Sequence, residues 1–170
     1  MTASYEPDGR RNRATAVIGW TAALTAMLLI SGCDPALFQR ESRVDSIAVS
    51  DVSSIGKVLA RTTTEDYGDG LTTINEVLVL DVGSSNAAEA LDAASVSLRK
   101  LGWRVAIPRP PESVYLESSR WKGVRLFLYG LDFYESWAEP GPQEEKAISE
   151  ARALTKSPAP LVVEMYKDES

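Results

Sequence analysis

Val77-Leu78-Val79-Leu80-Asp81-Val82 runs into Gly83-Ser84-Ser85-Asn86, and then into Ala87-Ala88-Glu89-Ala90-Leu91-Asp92-Ala93-Ala94-Ser95-Val96-Ser97-Leu98-Arg99-Lys100-Leu101-Gly102. Four consecutive aliphatic residues make both faces of a strand apolar, so the segment from Leu71 to Val82 predicts a strand in the middle of a sheet. Gly83 and the two serines break it. Asn86, with Glu89 three residues on, has the spacing of a capping box, Asn standing in place of the usual Ser or Thr. Ala87, Leu91, Ala94, Leu98 and Leu101 then fall on one helical stripe. Arg99 and Lys100 suit the negative end of the helix dipole, and Gly102 suits the residue just past the helix. A central strand and a helix over 87–101 are the frame for the rest.

Upstream, 54–64 reads as a strand, and Glu65-Asp66-Tyr67-Gly68-Asp69-Gly70 as a turn, because glycine supplies positive φ and aspartate bonds its own backbone. Downstream, Trp103-Arg104-Val105-Ala106-Ile107 alternates as a strand, with Trp103, Val105 and Ile107 facing the core, until Pro108, Pro110 and Pro111 stop it. Val114–Ser118 and Val124–Leu131 predict a hairpin across 119–123, with Val124, Leu126 and Leu128 on one face and Phe127 and Tyr129 on the other. Asp132–Pro142 reads as irregular, Gln143–Leu154 as a helix with Ala147, Ile148, Ala151 and Leu154 inward, and Leu161–Tyr166 as a last strand. The order β-β-α-β-β-β-α-β predicts an α+β domain over 46–170. It reads as a two-layer sandwich, a mostly antiparallel sheet with two helices on one face, ferredoxin-like in outline with extra strands.

The chain has 170 residues, of which 44% are hydrophobic and 25% charged, ordinary values for one globular domain. Its formal charge is −6. Affinity for nucleic-acid phosphate comes from Lys and Arg, so an acidic chain argues against DNA or RNA as partner. Histidine is absent and Cys33 is the single cysteine. Their scarcity removes the Ser-His-Asp and Cys-His triads, the commonest general base and the usual transition-metal ligands.

At the N-terminus, Arg10, Arg11 and Arg13 precede an uncharged apolar run from Val17 to Ile30, the order of an export signal. The arginine pair also has a twin-arginine look, but Arg13 stands where that pattern wants an apolar residue. Leu29-Ile30-Ser31-Gly32-Cys33 closes the run and resembles the lipobox of bacterial lipoproteins, in particular of small actinobacterial ones. The resemblance covers only these first 33 residues. It implies that 1–32 is a signal peptide, that Cys33 is acylated with palmitate-type chains, and that the domain sits on the extracytoplasmic face of a cell membrane, held there by lipid. Losing 1–32 removes three arginines, Glu6 and Asp8, taking the formal charge from −6 to −7. An uncleaved membrane helix over Ala14–Cys33 is the competing reading, since the run is just long enough to span. Cys33 to Asp45 has a proline, mixed charge and no period, and reads as a tether with a reach of about 20 Å.

Few residues of the mature chain point to chemistry. Glu65, Asp66 and Asp69 miss the calcium-loop pattern, since Gly68 stands two after Asp66. Lys57 and the serines near it form no persuasive Ser-Lys dyad, and Gly68 and Gly70 lead into a strand, not into a phosphate-binding helix. Phe133, Tyr134 and Trp137, with Tyr129, Asp132, Glu135 and Glu139, concentrate aromatics and carboxylates in one segment. It reads either as a binding loop or as closure of the core end. A glycosidase-like carboxylate pair has no support in the spacing. Trp121, at the hairpin tip beside Arg120 and Lys122, reads as a surface contact. No cofactor or metal is called for. The expectation is a non-enzymatic binding module for a protein, peptide or cell-wall component; the alternative is an accessory or sensory subunit of a membrane transport or signalling complex.

Overall fold

A computed structural model describes residues 40–110 and 112–168. The expected signal segment and Cys33 lie outside the described residues. The elements in chain order are β1 (Arg40–Arg43), α1 (Ser46–Ser53), β2 (Lys57–Gly68), β3 (Leu71–Asp81), α2 (Ala87–Lys100), β4 (Trp103–Arg109), β5 (Ser113–Ser118), β6 (Val124–Gly130), α3 (Leu131–Trp137), α4 (Pro142–Leu154) and β7 (Leu161–Lys167). The class is α+β, as the sequence predicts.

These seven strands form one mixed sheet. β2 follows the whole of one edge of β3. Along the other edge, β1 pairs in parallel with Leu71–Ile74 and β7 pairs antiparallel with Glu76–Leu80, end to end. The order across the sheet continues β7, β6, β5, β4, each antiparallel to the last. β3 is thus the central strand its sequence predicts. α2 carries the chain from β3 over three strands to β4, which runs parallel to β3. The predicted ferredoxin-like outline needs correction, because β6 and β7, joined through α3 and α4, are antiparallel neighbours and make no second β-α-β unit. Element order alone does not say which strands pair.

The helices also do not share one face. α1 and α2 bury Ala48, Val49, Val52, Ala90, Leu91, Ala94 and Leu98 against Leu78, Leu80, Leu116, Leu126, Leu128, Leu161, Val163 and Met165. α4 lies on the opposite side, Ala147 and Ala151 meeting Leu59, Ala60 and Val79, with Ile148 beside Val77, Val162 and Tyr129. The physical reason lies in β3 itself. Val77 and Val79 are as buried as Leu78 and Leu80, and apolar residues on both faces of a strand require a layer on each side.

Local signals hold up well. Asn86 caps α2, its side chain accepting the Glu89 N–H at 3.0 Å, and Gly102 takes φ +92 just beyond the helix. Asp69 and Gly70, both at positive φ, close the β2–β3 hairpin, the two-residue turn that matches strand twist. β2 itself runs on through 65–68, which reads as turn in the sequence. The tether reading fails over 40–45: Arg40–Arg43 is a strand and Asp45 caps α1 by accepting the Ile47 N–H. A four-residue strand of charged and polar residues has no periodicity to betray it. The 132–142 stretch is likewise helical over its first part, as α3.

Candidate functional site

On the side of the sheet that carries α3 and α4, the cover is partial. α4 packs over β2 and β3, and α3 over β6 and β7. Among the described residues no helix covers β4 and β5 on this side, and there the side chains form rows: Arg109, Ser113 and Tyr129 across one register, Ile107, Tyr115 and Phe127 across the next, and Arg104, Glu117 and Arg125 below.

Ile107 reaches this face through a local irregularity. Strand alternation puts it with Trp103 and Val105 in the core, as the sequence reading has it. The register shifts between Val105 and Ile107, so Val105 pairs with Leu116 and Ile107 with Tyr115. One extra residue in β4 turns every later side chain over, and Ile107 stands 47% exposed.

The rings above these rows form a continuous cluster. Tyr115 and Phe127 lie 4.8 Å apart between centroids, Phe127 and Tyr129 5.6 Å, Tyr129 and Phe133 6.4 Å. Phe133 and Trp137, one turn apart on α3, are 6.1 Å apart and nearly parallel at 12°. With Ile107 they line a cleft of about 590 Å³, and Arg109, Glu112 and Ser113 sit among its lining residues. Trp137 is 62% exposed. Two of the sequence-predicted residues, Phe133 and Trp137, therefore meet in one concave surface.

Tyr134 does not join them, since it is buried on the inner side of α3. Its hydroxyl lies 2.5 Å from Glu144 Oε1 on α4 and 2.8 Å from Glu164 Oε1 on β7. A phenol has one proton to donate, and two carboxylate oxygens face it. The arrangement is satisfied when Glu164 keeps its own proton, donates it to the Tyr134 oxygen, and Tyr134 donates to Glu144. Burial, the largest cause, pushes the Glu164 carboxyl above its usual value, and burial likewise raises the phenols of Tyr129 and Tyr134. Glu144 uses its other oxygen to accept the Gly141 N–H at 2.9 Å, capping α4. Arg152 of α4 binds Asp132 at 2.6 Å and Glu135 at 2.5 Å on α3. The wall bearing Phe133 and Trp137 is thus pinned to the sheet from beneath and to α4 from the side.

Trp121 lies elsewhere and is not a free surface ring. It is half-buried, packs against the main core 6.2 Å from Trp103, and is covered by the Arg120 guanidinium 4.5 Å above it. Arg120 in turn bonds Asp51 of α1 at 2.9 Å. The hairpin tip is thus tied to α1 by this ion pair and to the core by the Trp121 ring. The acidic turn also has internal partners: Asp66 accepts from Asn75 at 2.8 Å, and Glu65 from Tyr67. Among the described residues no group of three or more His, Cys, Asp or Glu is placed to hold a metal ion.

Sequence reasoning misses Ile107, Tyr115, Arg109, Glu112 and Ser113 as cleft residues. Tyr115 carries a usable signal: in the predicted hairpin it stands opposite Phe127, which alternation assigns to the second face. Ile107 carries none, because the extra residue in β4 leaves no mark in composition. No protein-family model, no curated protein and no solved structure matches this chain.

Proposed function

We propose that the chain is a lipid-anchored extracytoplasmic binding module that holds an apolar peptide segment of another envelope protein in the aromatic cleft. One observation carries the reading: five rings and Ile107 stand around a concave half of the sheet that no helix of the described residues closes over. Tyr, Trp, Phe and Arg are the residue types that dominate protein interfaces, since they bring large rigid contact area with a polar tip. Arg109 and Glu112 supply charge of both signs at the cleft, and Ser113 a hydroxyl, suited to backbone and terminal groups of a peptide. The anchor rests on the lipobox-like Leu29–Cys33. One acyl chain holds a protein marginally and two or three hold it firmly.

Two experiments test this. Mass spectrometry of the native protein should find acylated Cys33 as the first residue, and Cys33→Ala should leave the chain unacylated; an intact 1–32 segment without acyl mass removes the anchor. A photo-crosslinking residue placed at Trp137 should capture one specific envelope protein in intact cells, while the same residue at Ile47, 59% exposed on α1, should not. Equal capture at both positions, or none at Trp137, defeats the cleft reading.

A further inference from the structure

We propose that the outer edge of β2 pairs with β2 of a second copy of this chain, antiparallel, about a two-fold axis centred on Thr63. β2 is twelve residues long and bounds the sheet, with β3 as its strand partner. In an antiparallel ladder every second residue turns its N–H and C=O away from the neighbour, so this edge presents a row of backbone donors and acceptors that no strand of the described residues pairs with. The opposite edge is blunted. β4 carries the register shift after Val105 and has Pro108 within it, two devices that stop strand addition. From Ala60 to Gly68, β2 has neither a proline nor a register shift.

The order of charges on β2 singles out one register. A two-fold relating antiparallel strands of one sheet stands normal to it and keeps each face, so odd positions must meet odd positions. Centred on Thr63, the axis places Arg61 opposite the second copy's Glu65, twice over, and Thr62 opposite Thr64. Centred on Thr62 or Thr64, Arg61 meets only threonine or tyrosine. Centred on Arg61 or Glu65, like charges face each other, which is destabilising. Arg61 and Glu65 are both exposed. Within one copy Arg61 pairs with Glu76 of β3 at 2.9 Å and Glu65 accepts from Tyr67, so the second copy's charges would be added to, or exchanged with, these partners. Two exposed ion pairs and a short ladder make a weak, reversible dimer. The inference does not depend on the anchor or on the cleft.

The test uses the full chain carrying Thr63→Cys. Directly opposed Cβ atoms of paired strands come within disulfide reach, so mild oxidation should give several-fold more covalent dimer than Glu65→Cys or Thr62→Cys, neither of which opposes itself. The unmodified chain reports any linkage through Cys33. Adding Glu65→Lys to Thr63→Cys should lower the yield several-fold, and sedimentation of the unmodified protein should show dimer growing with concentration. Linkage of Thr63→Cys no greater than the unmodified chain, or equal self-linkage by Thr62→Cys, overturns the proposal.

Discussion

Tyr134→Phe keeps the buried ring and deletes only the oxygen that joins Glu144 to Glu164. Glu144, near the start of α4, retains the Gly141 N–H and can rehydrate. Glu164 is partly buried and keeps its hydrogen bond with Tyr129, so it loses one of two phenol partners. Losing one of two hydrogen bonds to a partly buried carboxyl costs about 1 kcal/mol, which for a domain of this size lowers the melting temperature by roughly 4 °C. Thermal unfolding followed by circular dichroism reads this directly. Glu164→Gln supplies the control, because an amide imitates the protonated carboxyl and can still donate to the Tyr134 oxygen. In the Glu164→Gln background, Tyr134→Phe should therefore cost about as much as it does in the wild type. The pH arm follows from the sign of the Glu164 shift. Its carboxyl is raised in the folded state, so the native state binds the proton more tightly than the unfolded chain. That contribution is complete below the ordinary glutamate range and is lost as pH rises through the folded value. Wild-type melting temperature should therefore fall with rising pH relative to Glu164→Gln, whose curve lacks this component. A Tyr134→Phe melt within a degree or two of wild type, or parallel pH curves for wild type and Glu164→Gln, refutes the reasoning.

Other expectations are more local. Leu91→Asp and Leu98→Asp each place an unpaired charge at a fully buried position of α2, a cost of several kcal/mol that should leave no cooperative melt. Gly123→Ala should lose about 2 kcal/mol or more, seen as a lower denaturant midpoint, because Gly123 sits at φ +74 and an added Cβ would meet the Asp168 carbonyl oxygen. Arg152→Ala frees Asp132 and Glu135; stability should change by less than about 1 kcal/mol, since these pairs are largely exposed. Exchange of the α3 amides with deuterium should nevertheless quicken, reporting a looser cleft wall.

Where the sequence is legible and where it is not follows from the range over which each signal acts. The α2 stripe, its Asn86 cap and its Gly102 terminus are set within a few residues, and each is found in place. The β5–β6 hairpin likewise declares itself by alternation, which is enough to assign Phe127 and Tyr129 to a second face. What that second face meets is not local. α4 has nearly the same pattern of small apolar residues as a helix packed beside α2, and only the doubly apolar β3 tells it to lie on the far side of the sheet. The cleft shows the same division. Phe133 and Trp137 are legible as a pair one helical turn apart once α3 is seen to be a helix, yet the floor they face is made by a single extra residue in β4 and by the absence, among the described residues, of a helix over β5. Tyr134 between them shows why an aromatic-rich segment resists a simple reading. Three rings in five residues of one helix cannot all point the same way, so the segment both seals the core, through Tyr134, and lines the opening, through its two neighbours.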